Sequence, residues 1–284
     1  MVKTRKRSHA YLLAILPFIL LVILFLFIPM ISMVVKSFLS PETGAFTLNN
    51  YVTIFTKRYY LISIGNSLQV SLISTAAGIV IAFIAAFCYQ KLGKKYRKVY
   101  TSALNMTSNF AGVTLAFSFM LLLGKTGTLV NLAKHMNITS LADFNFYSVS
   151  GLMITYIYFQ IPLGTLLLIP AFDSIKQEWK ESAQVLKASS FQFWFRIGIP
   201  VLMPSILGTL SILFANSLSA YGTAYALMGN NFSLMTIRIA GMFTGDVVQQ
   251  VELGSAMSTV LALLMCVSVV INMKFMGKAG ELRK

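Results

Sequence analysis

Residues with chemistry to offer gather in two places. Between Asp173 and Pro200 the chain sets Glu181, Ser182, Ala183, Leu186, Lys187, Ala188 and Ser189 ahead of Phe191, Phe193, Trp194 and Phe195. Charges alternate here with large aromatics. Leu186 and Phe193 lie seven apart and Phe191 and Phe195 four apart, spacings that put apolar side chains on one helical face. Such a face performs recognition rather than bond making: it either seats in another protein or anchors a helix at a lipid interface. The second place is the run Asn216, Ser217, Ser219, Tyr221 and Thr223, hydroxyls and an amide within apolar sequence. Polar groups in such a setting either hydrogen-bond neighbouring helices or line a route for a polar solute. For the route the candidates are Asn216, Ser219, Tyr221 and Thr223, joined by Tyr156 and Gln160.

Bond-breaking chemistry has no foothold. There is no G-x-x-x-x-G-K-[ST] phosphate loop, so nucleotide hydrolysis is not expected of this chain. The two histidines, His9 and His135, have no second ligand at metal-binding spacing, and Cys88 and Cys266 lie in apolar runs, where free Cys behaves as a small hydrophobe. No catalytic residue, metal or bound cofactor is expected. Asp246 and Glu252 are acidic groups before the last apolar run; they either solvate a loop or attract a cation.

The elements that position these groups follow from composition. Hydrophobic residues make up 57% of 284 positions and charged residues 11%, against roughly 25% charged in soluble domains. A net charge of +15 invites a nucleic-acid reading, but the basic residues sit in short islands between apolar runs rather than on one polar face. A nucleic-acid partner is therefore not expected; a lipid bilayer is. Helices need about 20 apolar residues to cross a bilayer, and six segments qualify, near 11–35, 61–90, 99–123, 149–172, 201–227 and 253–273. The first, preceded by Lys3, Arg5, Lys6 and Arg7, exceeds the roughly 7–15 residues of a signal-peptide core and is expected to stay attached.

Of the 23 Lys and Arg, only Lys36, Lys57, Arg58, Lys125, Lys134 and Arg238 fall in the three loops expected outside. The rest occupy the two tails and the segments 91–98 and 173–196. That asymmetry predicts both termini in the cytoplasm. The fold class expected is all-α, a polytopic membrane protein with six transmembrane helices. The long outer loops act either as a lid or as a docking surface for an external partner. The absence of charged residues within the spans argues against ion-coupled secondary transport.

The segment from Glu181 also carries a resemblance. It is similar to the cytoplasmic loop of binding-protein-dependent ABC permeases: Glu-Ala-Ala, three residues, Gly, nine residues, Ile, one residue, Leu-Pro. Glu181, Ala183, Ile197 and Pro200 match, Ser182 and Ile199 are near substitutions, and Lys187 stands at the glycine. That glycine permits a tight turn between two short helices, a turn Lys resists. Phe46-Thr47-Leu48-Asn49-Asn50-Tyr51 with Phe55, and Asn66-Ser67-Leu68 with Ser71 and Thr75, are similar to the family's approach to its second span. Gly229 through Gly245-Asp246 resembles the spermidine/putrescine-type permeases and their relatives for ferric iron and aminoethylphosphonate.

What the resemblance implies is a type I importer in the bacterial inner membrane. A second permease subunit, expected to be a homologue, joins this chain around the path. A dimer of ABC ATPase subunits, which carries the ATP and Mg, docks beneath, and an extracytoplasmic solute-binding protein delivers the solute. The division expected is a tail, first span and first loop (1–60), a core permease domain (61–276) containing the coupling loop 173–200, and a tail (277–284). Residues 181–183, 186–189, Phe191 and Pro200 would contact the ATPase.

Overall fold

A computed structural model describes residues 7–139, 143–244 and 249–281. Asp246 lies outside the described residues. All extended elements among them are helical, save one isolated antiparallel bridge between Leu39 and Phe46. Among the described residues, six helical stretches are long and apolar enough to cross a membrane: Ile15–Ser37, Arg58–Gln90, Val113–His135, Val149–Phe172, Ser190–Ser219 and Val251–Phe275. The chain divides into two compact units, Met1–Leu61 with Arg238–Val260, and Ile62–Ile237 with Leu261–Lys284.

In the first unit, α1 (Arg7–Val22) runs through a π turn at Ile23–Phe27 into α2 (Ile28–Ser37). Pro29 explains the wide turn: it has no N–H for the carbonyl four residues back, and its ring crowds that carbonyl. From Ile15 onward the side chains are almost all exposed, as lipid contact requires. Ser37 is buried because α3 (Asn49–Thr56) folds back on it. Asn50 Nδ2 donates to the Ser37 and Leu39 carbonyls at 3.0 and 2.9 Å, and Tyr51 OH lies 2.7 Å from Ser37 Oγ. The polar residues of the Phe46–Tyr51 stretch thus close off the carbonyls that a helix end leaves unpaired.

The second unit is organised by close helix approach. In α4 (Arg58–Gln90) and α8 (Val149–Phe172), small residues let the backbones meet. A Cβ on Gly164 would lie 2.9 Å from Ala82 Cβ and 3.1 Å from Leu213 Cδ1 of α11 (Ile199–Ser219), and one on Gly78 would lie 3.0 Å from Gln160 Cβ. One core cluster surrounds Tyr156, Phe159, Leu115 and Leu227, and another surrounds Leu168, Phe172, Phe193 and Leu213.

Two spans read as continuous from the sequence are interrupted. The expected helix 99–123 is α5 (Lys94–Ser108) and α6 (Val113–Leu123), broken at Asn109–Gly112, and the spanning stretch instead reaches onward through α7 (Thr128–His135). Gly112, at φ +73°, supplies a backbone shape open to glycine and costly to other residues. The expected helix 201–227 begins earlier, at Ser190, and breaks at Ala220–Tyr221 before α12 (Gly222–Met228). Hydropathy averaged over the length of a span sees neither break, because one is four residues long and the other two. The remaining helices are α9 (Gln177–Val185), α10 (Ser190–Phe193), α13 (Met235–Thr244) and α14 (Val251–Glu281).

Candidate coupling segment and candidate solute path

Between α8 and α11 the chain makes a helix, a tight turn and a second helix. The turn is a six-residue helix-ending hydrogen-bond pattern: Ala188 N–H donates to the Ala183 carbonyl at 2.9 Å and Lys187 N–H to the Gln184 carbonyl at 2.9 Å. Lys187 holds φ +57°, so the backbone turn that the glycine would favour forms with Lys in its place. The next helix starts at once, because Ser189 and Gln192 cap each other: Gln192 N–H donates to Ser189 Oγ at 3.2 Å and Ser189 N–H to Gln192 Oε1 at 2.8 Å. A left-handed conformation costs an L-residue about 1–2 kcal/mol. Lys187→Gly is therefore expected to firm the turn by about 1 kcal/mol, read as slower amide hydrogen exchange over 177–193. Exchange as fast as wild type, or faster, would show that Lys187 carries no strain.

The segment is anchored by its buried side. Ile175, Ala183 and Phe193 pack into the cluster containing Phe172 and Leu213. Trp194 stands edge-on to Phe87 at 5.1 Å, and Gly198 admits its ring: a Cβ there would come within 2.4 Å of Trp194 Cε3. A second π turn, Trp194–Gly198, sits two residues before Pro200, the same arrangement as at Pro29. The predicted common face of Leu186 and Phe193 is not formed. The turn at Lys187 puts them on separate helices, so that Phe193 is buried while Leu186 is 80% exposed. The outward apolar surface is Val185, Leu186, Phe191 and Phe195, with Glu181, Ser182, Lys187, Ser189 and Pro200 also exposed. Ala183 is buried and Ala188 half-buried. Val185, 82% exposed, was missed; its adjacency to Leu186 at a helix end was the available signal.

The polar candidates divide into two sets. Tyr156, Gln160 and Thr223 are buried and bonded to other helices. Tyr156 OH donates to the Ala220 carbonyl at 2.7 Å, and Thr223 Oγ1 to the Gly112 carbonyl at 3.1 Å. Both helix breaks thus have a carbonyl satisfied by a side chain, and they abut: a Cβ on Gly222 would lie 3.6 Å from Gly112 Cα. Gln160 Nε2 donates to Ser74 Oγ at 2.9 Å, which lies 3.0 Å from Ser217 Oγ, tying α4, α8 and α11 together. Gln160 Oε1 and Thr75 Oγ1 are buried without a partner. The other set, Asn216, Ser219 and Tyr221, is exposed, with the Tyr221 ring stacked on Tyr225 at 5.3 Å. Within α11 itself, Ser217 bonds inward while Asn216 and Ser219 are exposed.

Glu252 is half-buried in the first turn of α14, where a negative charge also complements the helix N-terminus. The Arg238 guanidinium lies 4.0 Å from the Tyr59 ring centroid, and burial pulls its pKa below the ordinary value.

Among the described residues, six apolar helical stretches long enough to cross a bilayer define a polytopic membrane protein. The chain belongs to the family of binding-protein-dependent transport system inner membrane components, the permeases of type I ABC importers, which it matches over residues 78–278. It is 27% identical over 184 residues to the sulfoquinovosyl glycerol transport system permease protein of Agrobacterium fabrum, a match covering 65% of this chain and 59% of that one. It is 26% identical over 248 residues to the spermidine/putrescine transport system permease protein PotB of Haemophilus influenzae, covering 86% of each. Its fold superimposes on a chain of a bacterial ABC transporter for import of the acidic polysaccharide alginate with TM-score 0.78 at 20% identity, covering 98% of each chain. The protein is thus a multi-pass inner-membrane component of an importer.

Proposed function

We propose that this chain forms one half of the solute path of an ATP-driven importer and that the segment Gln177–Phe193 couples it to a partner ATPase. The observation that carries the reading is the rigid turn at Lys187, which presents Val185, Leu186 and Phe191 outward from a helix pair anchored by Phe193 and Trp194. Exposed apolar side chains on a braced, charged helix pair suit a protein socket. In this reading both termini and the Glu181 segment face the cytoplasm, in accord with the distribution of Lys and Arg. ATP and Mg are held by a dimer of ATPase subunits, a homologous second permease closes the path, and a solute-binding protein delivers cargo from outside. Nucleotide at one end and loaded binding protein at the other bias one two-state element.

The solute assigned is a polyamine such as spermidine or putrescine. The support is the similarity to PotB, which runs over 86% of this chain. Asn216 and Ser219, exposed on α11, offer neutral oxygens to an ammonium group. The experiment is uptake of labelled spermidine and putrescine by cells with and without the gene. Loss on deletion and recovery on complementation are expected. Unchanged polyamine uptake alongside a loss of ferric iron, aminoethylphosphonate or sugar uptake would overturn the polyamine assignment alone. Uptake of the cognate solute that persists after the partner ATPase is inactivated would overturn the importer reading.

A further inference from the structure

Two adjoining clefts, of about 320 and 540 Å³, meet where the spans containing α4, α8 and α11 end or begin, and they share the same four residues: Phe87, Lys91, Lys180 and Trp194. Lys91 Nζ lies 4.7 Å from the Phe87 ring centroid and Lys180 Nζ 6.0 Å from that of Trp194, so both ammonium groups stand over an aromatic floor. One cleft runs toward Gln90, Phe172 and Asp173. Asp173, the acidic group in this wall, accepts a hydrogen bond from Gln90 Nε2 at 3.3 Å. The other cleft runs along Phe191, Phe195 and Ile199, an apolar wall leading into the span. Phe191 and Phe195, with rings 4.6 Å apart, are both exposed.

The level of the cleft is fixed by the spans themselves. Gln90 and Phe172 are the last residues of two of them and Ser190 the first of a third, so the lysines stand where apolar helix gives way to polar chain. Cationic groups at such a boundary, above a wall of aromatic and branched aliphatic side chains, match one kind of molecule at both ends. We infer that this cleft binds an anionic phospholipid, its phosphate held by Lys91 and Lys180 and one acyl chain lying along Phe195 and Ile199. Basic pockets between spans recognise anionic headgroups in this manner. The lipid would brace the root of the helix-turn-helix against the last turn of α4.

The test uses the full chain with whatever subunits purify with it, in detergent, supplemented with phosphatidylglycerol or phosphatidylcholine. Phosphatidylglycerol is expected to raise the melting temperature by several degrees more than phosphatidylcholine, and native mass spectrometry to show it retained. Lys91→Gln with Lys180→Gln should weaken that retention roughly 30-fold while leaving the melting temperature in phosphatidylcholine at the wild-type value. Lys94→Gln with Lys95→Gln and Lys98→Gln, on the exposed side of α5, should leave the preference intact. Equal shifts with both lipids would overturn the inference, as would equal loss in the α5 variant, which would mean diffuse attraction to a chain of charge +15. Glycerol phosphate reproducing the shift would reduce the site to one for soluble phosphate. Retention lost only when the ATPase is present would assign the cleft to that protein instead. Should the double variant melt early in phosphatidylcholine, the single variants Lys91→Gln and Lys180→Gln carry the comparison.

Discussion

Leu186→Asp is expected to abolish ATP-driven uptake while the chain inserts and folds as wild type. Leu186 is 80% exposed and caps the end of α9, so nothing in the fold depends on its side chain, and exposed substitutions of this kind change stability by under about 0.5 kcal/mol. In a docked complex the same position would bury a carboxylate against an apolar wall, costing about 2–4 kcal/mol, a loss of roughly 30-fold to 1000-fold in association. Two readouts separate fold from coupling: the amount of ATPase that purifies with the variant, and its thermal midpoint in detergent. Normal recovery of ATPase together with normal uptake would remove this surface from the coupling contact. Glu181 on the same helix is exposed as well, so Glu181→Gln tests charge where Leu186→Asp tests shape.

Gly164→Leu is expected to have the largest effect on stability. A Cβ at Gly164 already stands at 2.9 Å from Ala82 and 3.1 Å from Leu213, distances at which a neighbour has to give way. Both neighbours are fully buried, Ala82 on α4 and Leu213 on α11, so three helices must part to admit the larger side chain. Overpacking of this sort costs about 1–3 kcal/mol or more. Thermal denaturation followed by size-exclusion chromatography should show the midpoint falling by several degrees. Gly208→Leu is the control: it lies on α11 in open space, with nothing within 4 Å of its Cβ position. A midpoint for Gly164→Leu as high as that for Gly208→Leu would show that the close approach of these helices contributes nothing.

The number of spans was legible because twenty-odd apolar residues flanked by Lys or Arg have few alternatives to a membrane helix. The boundaries of the third and fifth spans were not. Asn109–Gly112 and Ala220–Tyr221 interrupt the helices through backbone geometry and through tertiary hydrogen bonds from Thr223 and Tyr156, which lie far away in sequence. The segment proposed for coupling was readable as two short helices about a turn only through its resemblance to the family, whose spacing Glu181 to Pro200 keeps. Lys187 misdirects there: its side chain disfavours positive φ, yet the bonds from Ala188 N–H to the Ala183 carbonyl and from Ser189 N–H to Gln192 Oε1 on either side hold it in place. Among the polar residues of α11 the sequence offered one undivided set. Which of them bond inward depends on Ser74 and Gln160, residues whose proximity only folding creates.

That partition within the polar residues bears on how such a permease changes cargo. Tyr156, Gln160 and Thr223 hold the interrupted helices together, whereas the side chains of Asn216, Ser219 and Tyr221 make no hydrogen bond or ring contact among the described residues beyond a Ser219 bond to its own helix and the Tyr225 ring. In the proposed path, substitutions within the second trio would change the groups offered to a solute with little penalty to the fold of this chain, so cargo preference and folding can vary independently.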